Sequence, residues 1–309
     1  MGNLKGRDFL TVNDFSRDEL ADILHFALQL KTERKNGKNQ PLLAGKTLGM
    51  IFRKASTRTR VSFEVGMYQL GGTALFLSAQ DLQIGRGEPV KDTARVLSRY
   101  LDGIMIRTYE HEEVEELAAY AEIPVINGLT DLLHPCQAMA DLLTVLEHKG
   151  KLEGLKLAYV GDGNNMAHSL LLACSKMGMH VAIASPAGYE PRREIVRAAQ
   201  ENAAAYGTEV LITTEISQAV KAADVLYTDV WASMGQEAER MARIRVFKPY
   251  QINREVMQLA AKDAIVMHCL PAHRGEEITD DIMEGPQSVI FDQAENRLHA
   301  QKAILAKVM

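Results

Sequence analysis

The sequence predicts an α/β protein of two domains, each a mainly parallel sheet flanked by helices, joined by a bridging helix. Three observations predict it. The chain has 309 residues, enough for two domains at roughly 150 residues each. Apolar residues alternate between a period of about 2 and one of about 3.6 along both halves. Polar stretches with chemical potential fall where a strand hands over to a helix.

Ser16-Arg17-Asp18-Glu19 has the form of a capping box, and Leu20, Ile23, Leu24 and Ala27 follow at helical spacing. A buried strand is expected at 47–52. A helix carrying Val61, Val65 and Tyr68 on one face comes next and stops at Gly71-Gly72. Further strands are expected at 73–78, 103–106 and 124–126, with helices over 90–100 and 112–121 and a polar loop at 79–88. His134-Pro135 opens a long helix, because proline costs little in a first turn whose N–H is unpaired anyway. Met139, Leu142, Leu143 and Leu146 give that helix its apolar stripe. After a charged stretch at 149–156, a second series of strands is expected at 155–160, 181–185, 209–212, 224–227 and 264–267, and a last helix at 296–309. The domains are therefore drawn at 1–149, including the bridging helix 134–149, and 150–309, with the C-terminal helix returning to the first domain.

The composition, 47% hydrophobic and 24% charged, is that of a globular protein. A net charge of -5 excludes a chain-wide binder of nucleic acid or membrane surface, though not a local basic pocket. No apolar run reaches the roughly 18 residues of a membrane span, and residues 1–8 lack a signal-like core. Cys136, Cys174 and Cys269 are few, spread out and odd in number, which fits neither a disulfide framework nor a zinc pattern. Reduced thiols, a cytoplasmic protein and no metal are expected.

Six stretches carry chemistry. Ser56-Thr57-Arg58-Thr59-Arg60 lies between a strand and a helix. Small hydroxyl residues cap a helix start, and its N–H groups and dipole attract anions. Two arginines add bidentate contacts suited to phosphate. The alternative is a capped helix with solvated arginines, and the strand–turn–helix context favours the anion. Arg107 ends the next strand but one, as a second cation or a surface charge. His134-Pro135-Cys136-Gln137 places an imidazole and an amide in a helix's first turn, for a ligand or as a cap; neutral imidazole can donate to an oxygen gaining charge. Gly161-Asp162-Gly163-Asn164-Asn165-Met166 follows a strand but lacks the third glycine and the later acidic residue of a dinucleotide fingerprint. Asp229 and Ser233 are spaced to take the two ends of an amino acid's α-carbon. His268-Cys269-Leu270-Pro271-Ala272-His273 has two histidines and a thiol at no standard metal spacing, so a pocket-lining loop is expected there. All six lie at a strand end or helix start, on two consecutive α/β units, and a cleft between domains is expected.

Taken together these stretches resemble the aspartate/ornithine carbamoyltransferase superfamily. Ser56-Thr57-Arg58-Thr59-Arg60 with Val61-Ser62-Phe63-Glu64 is similar to its carbamoyl phosphate signature, except that Ala55 stands where the family usually has proline. His134-Pro135-Cys136-Gln137, Asp229 with Ser233-Met234-Gly235, and His268-Cys269-Leu270-Pro271 resemble the ornithine branch. The resemblance runs from about residue 8 to the C-terminus.

It implies carbamoyl transfer from carbamoyl phosphate to the side-chain amine of L-ornithine, giving citrulline and phosphate, without a cofactor. It implies a homotrimer or a multiple of it. By the same resemblance Ser56, Thr57, Arg58, Thr59, Gln83, Arg107, His134, Pro135, Cys136 and Gln137 bind carbamoyl phosphate, Gln83 from a neighbouring subunit. Asn165, Asp229, Ser233 and Met234 bind ornithine. Cys269, Leu270 and Arg297 lie near both, and Arg58, Arg107, His134 and Cys269 are the catalytic set. The segment 231–246 is expected to be a lid. The readings kept beside this one are a carbamoyltransferase for another amine such as putrescine or N-acetylornithine, a nicotinamide-dependent oxidoreductase, and a non-catalytic anion-binding subunit.

Overall fold

A computed structural model describes residues 4–232 and 239–309. The chain forms two compact units, one from residues up to Leu143 together with Asn296–Met309, the other from Thr144–Glu295. It crosses from the first to the second inside the helix Pro135–Lys149 (α5), and returns inside the last helix, Ile290–Val308 (α12).

In the first unit β1 (Thr47–Phe52), β2 (Thr73–Ser78), β3 (Gly103–Arg107) and β4 (Val125–Leu129) form one parallel sheet in the order β2-β1-β3-β4. Both faces of β3 are buried, so it reads as a continuous apolar run ending in arginine. Helices α1 (Arg17–Lys35), α2 (Thr57–Gln69), α3 (Val90–Leu97) and α4 (His111–Tyr120) connect and cover these strands. The capping box forms as expected: Ser16 Oγ accepts from Glu19 N at 3.2 Å and Glu19 Oε2 accepts from Ser16 N at 2.8 Å.

The second unit is a five-stranded parallel sheet ordered β7-β6-β5-β8-β9, from β5 (Lys156–Val160), β6 (His180–Ala184), β7 (Val210–Thr213), β8 (Val225–Thr228) and β9 (Ile265–His268). Helices α6 (Asn165–Lys176), α7 (Arg193–Tyr206), α8 (Ile216–Val220), α9 (Arg240–Phe247), α10 (Arg254–Met257) and α11 (Asp280–Met283) complete it.

Each strand order reverses once, between β1 and β3 in the first unit and between β5 and β8 in the second. Beyond the carboxyl ends of strands at such a reversal the connecting helices diverge to opposite faces and leave a crevice, where ligands of open α/β sheets bind.

One expected boundary shifts, and two segments gain detail. The Val61, Val65 and Tyr68 stripe of α2 faces outward, at 50%, 36% and 81% exposure, while Phe63 and Met67 point into the core. The last helix begins at Ile290 instead of 296. Its buried polar Gln293 and Asn296 interrupt the apolar period from which its start was read. Part of the expected lid is helical: α9 covers Arg240–Phe247, while Ser233 and Met234 lie outside the described residues. No described helix is long and apolar enough to cross a membrane.

Candidate active site

In the first unit the residues gather at the reversal between β1 and β3. Ser56 is the N-cap of α2; its Oγ accepts from Thr59 N at 3.2 Å and donates to Thr59 Oγ1 at 3.1 Å. Thr57 is exposed and Arg58 half-buried in the first turn of α2. Arg107, at the end of the neighbouring β3, is buried, and its carbonyl accepts from Arg53 N at 2.9 Å. That bond ties the root of the Ser56 turn to the strand carrying the second cation.

A third cation arrives from α12. Arg297 Nη1 donates to Gln137 Oε1 at 2.7 Å, and Nη2 donates to Thr59 Oγ1 at 3.3 Å. Nη1 also lies 3.4 Å from His134 Nε2. A guanidinium only donates, so Nε2 accepts there and the ring proton sits on Nδ1. Burial holds His134 well below the usual histidine range, and Arg297, Arg107 and Arg58 push the same way. It is therefore a neutral imidazole at neutral pH, ringed by three guanidinium groups. Gln137 is fixed in turn by Asp141, to which its Nε2 donates at 2.7 Å.

Pro135 and Cys136 occupy the first turn of α5. Burial pushes the Cys136 thiol up to about 12, and it donates to the carbonyl of Asn127 at 3.4 Å. Gln83 is exposed on a one-turn helix at 83–86. Sequence reasoning passed over Lys54. It is 4% exposed, pairs with Asp131 and lies 4.4 Å from the centre of the Tyr109 ring. Its partner is 77 residues away in the sequence, so no local pattern announced it.

In the second unit the reversal lies between β5 and β8, whose ends are cross-linked by Thr228 Oγ1 donating to Val160 O at 2.7 Å. Asp229 follows β8 and is buried. Its Oδ1 accepts from Val230 N at 2.8 Å and from Cys269 Sγ at 3.0 Å. Its Oδ2 accepts from Asn164 Nδ2 at 3.0 Å. Asn165 opens α6 beside it, half-buried.

Cys269 leaves the end of β9, and Leu270 takes a left-handed backbone (φ 61°) before a cis Leu270–Pro271 bond. Such a residue costs about 1–3 kcal/mol unless its surroundings hold it. His268 does so: its Nδ1 accepts from Leu270 N at 2.9 Å and its Nε2 donates to the buried Glu277 at 3.1 Å. Glu277 also accepts from His273 N at 2.6 Å. Asp229, His268 and Cys269 come within metal-ligating distance of one another, and so do His273, Glu276 and Glu277. In the first trio both ring nitrogens of His268 are committed to these bonds, so it offers no ligand atom.

Arg243 of α9 anchors the segment after Asp229. Its Nη1 donates to Asp162 Oδ2 and to Trp231 O, both at 3.0 Å. Burial pushes the Asp162 carboxyl up to about 6, against the pull of Arg243. The G-x-G spacing also has a structural cause. A Cβ on Gly163 would lie 2.3 Å from Pro191 N and 2.4 Å from Glu190 C, so this glycine admits a neighbouring backbone and no pyrophosphate is needed to explain it.

Residues 7–147 match the carbamoyl-P binding domain of aspartate/ornithine carbamoyltransferases, and residues 153–308 match the Asp/Orn binding domain. The ornithine carbamoyltransferase of Anoxybacillus flavithermus is 61% identical over 99% of this chain and 98% of its own. That of Thermococcus kodakarensis is 59% identical over 99% and 98%. The solved structure of ornithine carbamoyltransferase from Pyrococcus furiosus superposes with a TM-score of 0.97 at 57% identity, covering 100% of this chain and 99% of that one. With both domain models matched in order and the likeness running the full length, the chain belongs to the aspartate/ornithine carbamoyltransferase family.

Proposed function

We propose that this protein transfers the carbamoyl group of carbamoyl phosphate to the side-chain amine of L-ornithine, giving L-citrulline and phosphate. The observation that carries the reading is the full-length likeness, at 61% identity, to a protein named ornithine carbamoyltransferase. The chemistry of the two units supports it.

The first unit is the carbamoyl phosphate half. The α2 N-terminus with Ser56, Thr57, Arg58 and Thr59 takes the phosphate, together with Arg107. Arg58, Arg107, His134 and Gln137 surround the carbamoyl group. Donors aimed at its oxygen stabilise the charge that develops in the tetrahedral transition state, at about 2.7–4 kcal/mol for one such donor. A neutral His134 suits that task, since it donates through Nδ1 without carrying a proton away. Pro135 and Cys136 contribute the shape and backbone of this turn.

The second unit is the ornithine half. Asp229 meets the α-ammonium, and Asn165 and Ser233 the α-carboxylate, with Met234 along the chain. Cys269 and the backbone of Leu270 lie beside the attacking amine, which must lose its proton before attack. Arg297 orients the carbamoyl side through Thr59 and Gln137. The departing phosphate accepts a proton, so no covalent protein intermediate is required.

Assembly as a homotrimer, with Gln83 serving a neighbouring copy, is part of the reading. The outward apolar face of α2, with Leu75 and Phe76 of the edge strand β2 at 44% and 39% exposure, supports it. Sedimentation should give three times the 34.2 kDa chain mass or a multiple of that. The protein would work in the cytoplasm.

The deciding experiment offers carbamoyl phosphate with ornithine, aspartate, putrescine or N-acetylornithine in turn, and quantifies phosphate and ureido product. Citrulline from ornithine alone is expected. Turnover only with another amine would overturn the second half of the reading, and turnover with none would overturn both.

A further inference from the structure

Asn164 was no candidate in the sequence, where Asn165 drew the attention. It stands at the reversal between β5 and β8, in the turn that leads from β5 into α6. Its side-chain oxygen is the N-cap of α6, accepting from Met166 N at 2.9 Å and from Ala167 N at 3.3 Å. The hydroxyl of the fully buried Tyr159 adds a long contact to the same oxygen at 3.4 Å.

These partners decide which way the amide points. Backbone N–H groups at a helix start only donate, so the amide must turn its oxygen to them. The amide nitrogen is then left facing Asp229, and it donates to Oδ2 at 3.0 Å. A flipped amide would set donor against donor at the cap and oxygen against carboxylate at Asp229, so neither end tolerates the flip.

The effect on Asp229 is a clamp from two sides. Oδ2 takes Asn164, while Oδ1 takes Val230 N and Cys269 Sγ. A carboxylate accepts at about four positions, so three donors leave about one. All three donors are neutral: they fix the rotamer and direction of the carboxylate and leave its charge for a cation. A cation in that place would have made a salt bridge and spent the charge.

We propose that Asn164 is a positioning residue for amino-acid recognition, which uses the cap of α6 as a fixed point from which to hold Asp229 toward the α-ammonium of ornithine. The inference rests on the reading that Asp229 meets that ammonium. Through Asn164 the helix start that caps α6 and the carboxylate 65 residues further on become one rigid unit.

Two variants separate positioning from capping alone. Asn164→Ser keeps a cap of comparable strength and removes the donor to Asp229. Asn164→Asp also keeps the cap and replaces the donor with an acceptor. Steady-state kinetics are run on the intact protein, varying ornithine at saturating carbamoyl phosphate and the reverse, alongside the melting temperature. The positioning role is expected to raise the KM for ornithine about ten- to a hundredfold in Asn164→Ser, and further in Asn164→Asp. The KM for carbamoyl phosphate should stay within about twofold, since the donor half is untouched, and the melting temperature of Asn164→Ser should remain near that of the parent. Competition by 5-aminopentanoate, which has the carboxylate and side-chain amine but no α-ammonium, should be unchanged in Asn164→Ser.

A wild-type KM for ornithine in either capped variant would overturn the inference. So would an equal loss for 5-aminopentanoate, which would mark general damage to the pocket. The parent protein and Asp229→Ala serve as controls. If the parent does not use ornithine, or Asp229→Ala keeps its KM, the underlying reading of the site is at fault and not the role of Asn164 alone.

Discussion

The two units share a single reversal of strand order and differ in the charge gathered beside it. Each is a parallel sheet whose strand order reverses once, and each gathers its polar residues beyond the strand ends at that reversal. In the first unit the group is cationic, with Arg58, Arg107 and Arg297 around a neutral His134. In the second it centres on a carboxylate, Asp229, beside the thiol of Cys269. The reversal of strand order sets where polar side chains gather, and their identity sets the charge there. In the second unit the carboxylate of Asp229 is held by the neutral donors Asn164 Nδ2, Val230 N and Cys269 Sγ. Contrast Arg243 and Asp162, a buried pair that satisfies itself and serves as an anchor. The Arg243–Asp162 pair is an ion pair within the scaffold, whereas these donors to Asp229 are neutral dipoles.

Breaking the cationic side should have the largest effect. Arg58→Gln is expected to lower kcat/KM for carbamoyl phosphate by about 10²–10³, the range for removing one donor to a developing oxyanion. Initial rates at limiting carbamoyl phosphate would show it, and a loss under tenfold would remove Arg58 from the catalytic group. Breaking the anionic side comes next. Asp229→Asn should lower kcat/KM for ornithine by about ten- to a hundredfold, with the melting temperature little changed. An unchanged value would leave Asp229 a structural acid. Third is the scaffold of the second unit alone. Gly163→Ala sets a Cβ against the backbone at 190–191, and urea unfolding should report a loss of about 1–3 kcal/mol. A neutral result would mean that this backbone yields.

The smallest effect sharpens the comparison through pH. His134 is held well below 6.5 when folded, by burial first and then by the three arginines. Below about pH 6.5 the unfolded chain therefore binds more protons at this residue than the folded one. Its contribution to stability is present above that pH and lost as pH falls. Melting temperatures taken from pH 7 to pH 5 should decline, and less steeply in His134→Gln; parallel curves would place His134 in a wetter setting. Asp162 works in the opposite direction. Its carboxyl is raised to about 6, so its contribution is fully present below pH 3.8 and lost as pH rises through 6.

Much of this was legible in the sequence, because the signals were local. The capping box of Ser16 and Glu19, the proline opening α5 and the alternation of strands and helices each depend on residues within a few positions of one another. The Ser56 turn and Arg107 each follow a run with strand periodicity, so their place at strand ends is readable locally. What the sequence withheld was long-range. It did not reveal that β1 and β3 are neighbours, or β5 and β8, and so it could not say that these motifs sit at reversals of strand order. Asn164 and Asp229 meet across 65 residues, Lys54 and Asp131 across 77. Other details were hidden by chemistry that overrides pattern. Gln293 is buried to accept from His268 N and donate to Tyr227, which disguised the first turn of α12 as a loop. The outward Val61, Val65 and Tyr68 stripe has the period of a core-facing helix, and spacing alone does not say which apolar face of α2 is buried.

The division of labour between the units is tested most directly by titrating inorganic phosphate, the product anion, into three proteins by calorimetry: the parent, Arg58→Gln and Asp229→Asn. Phosphate should bind the parent and Asp229→Asn alike and bind Arg58→Gln at least tenfold more weakly. Equal binding to all three, or loss of binding in Asp229→Asn, would contradict an account in which one reversal point holds the anion and the other the amino acid.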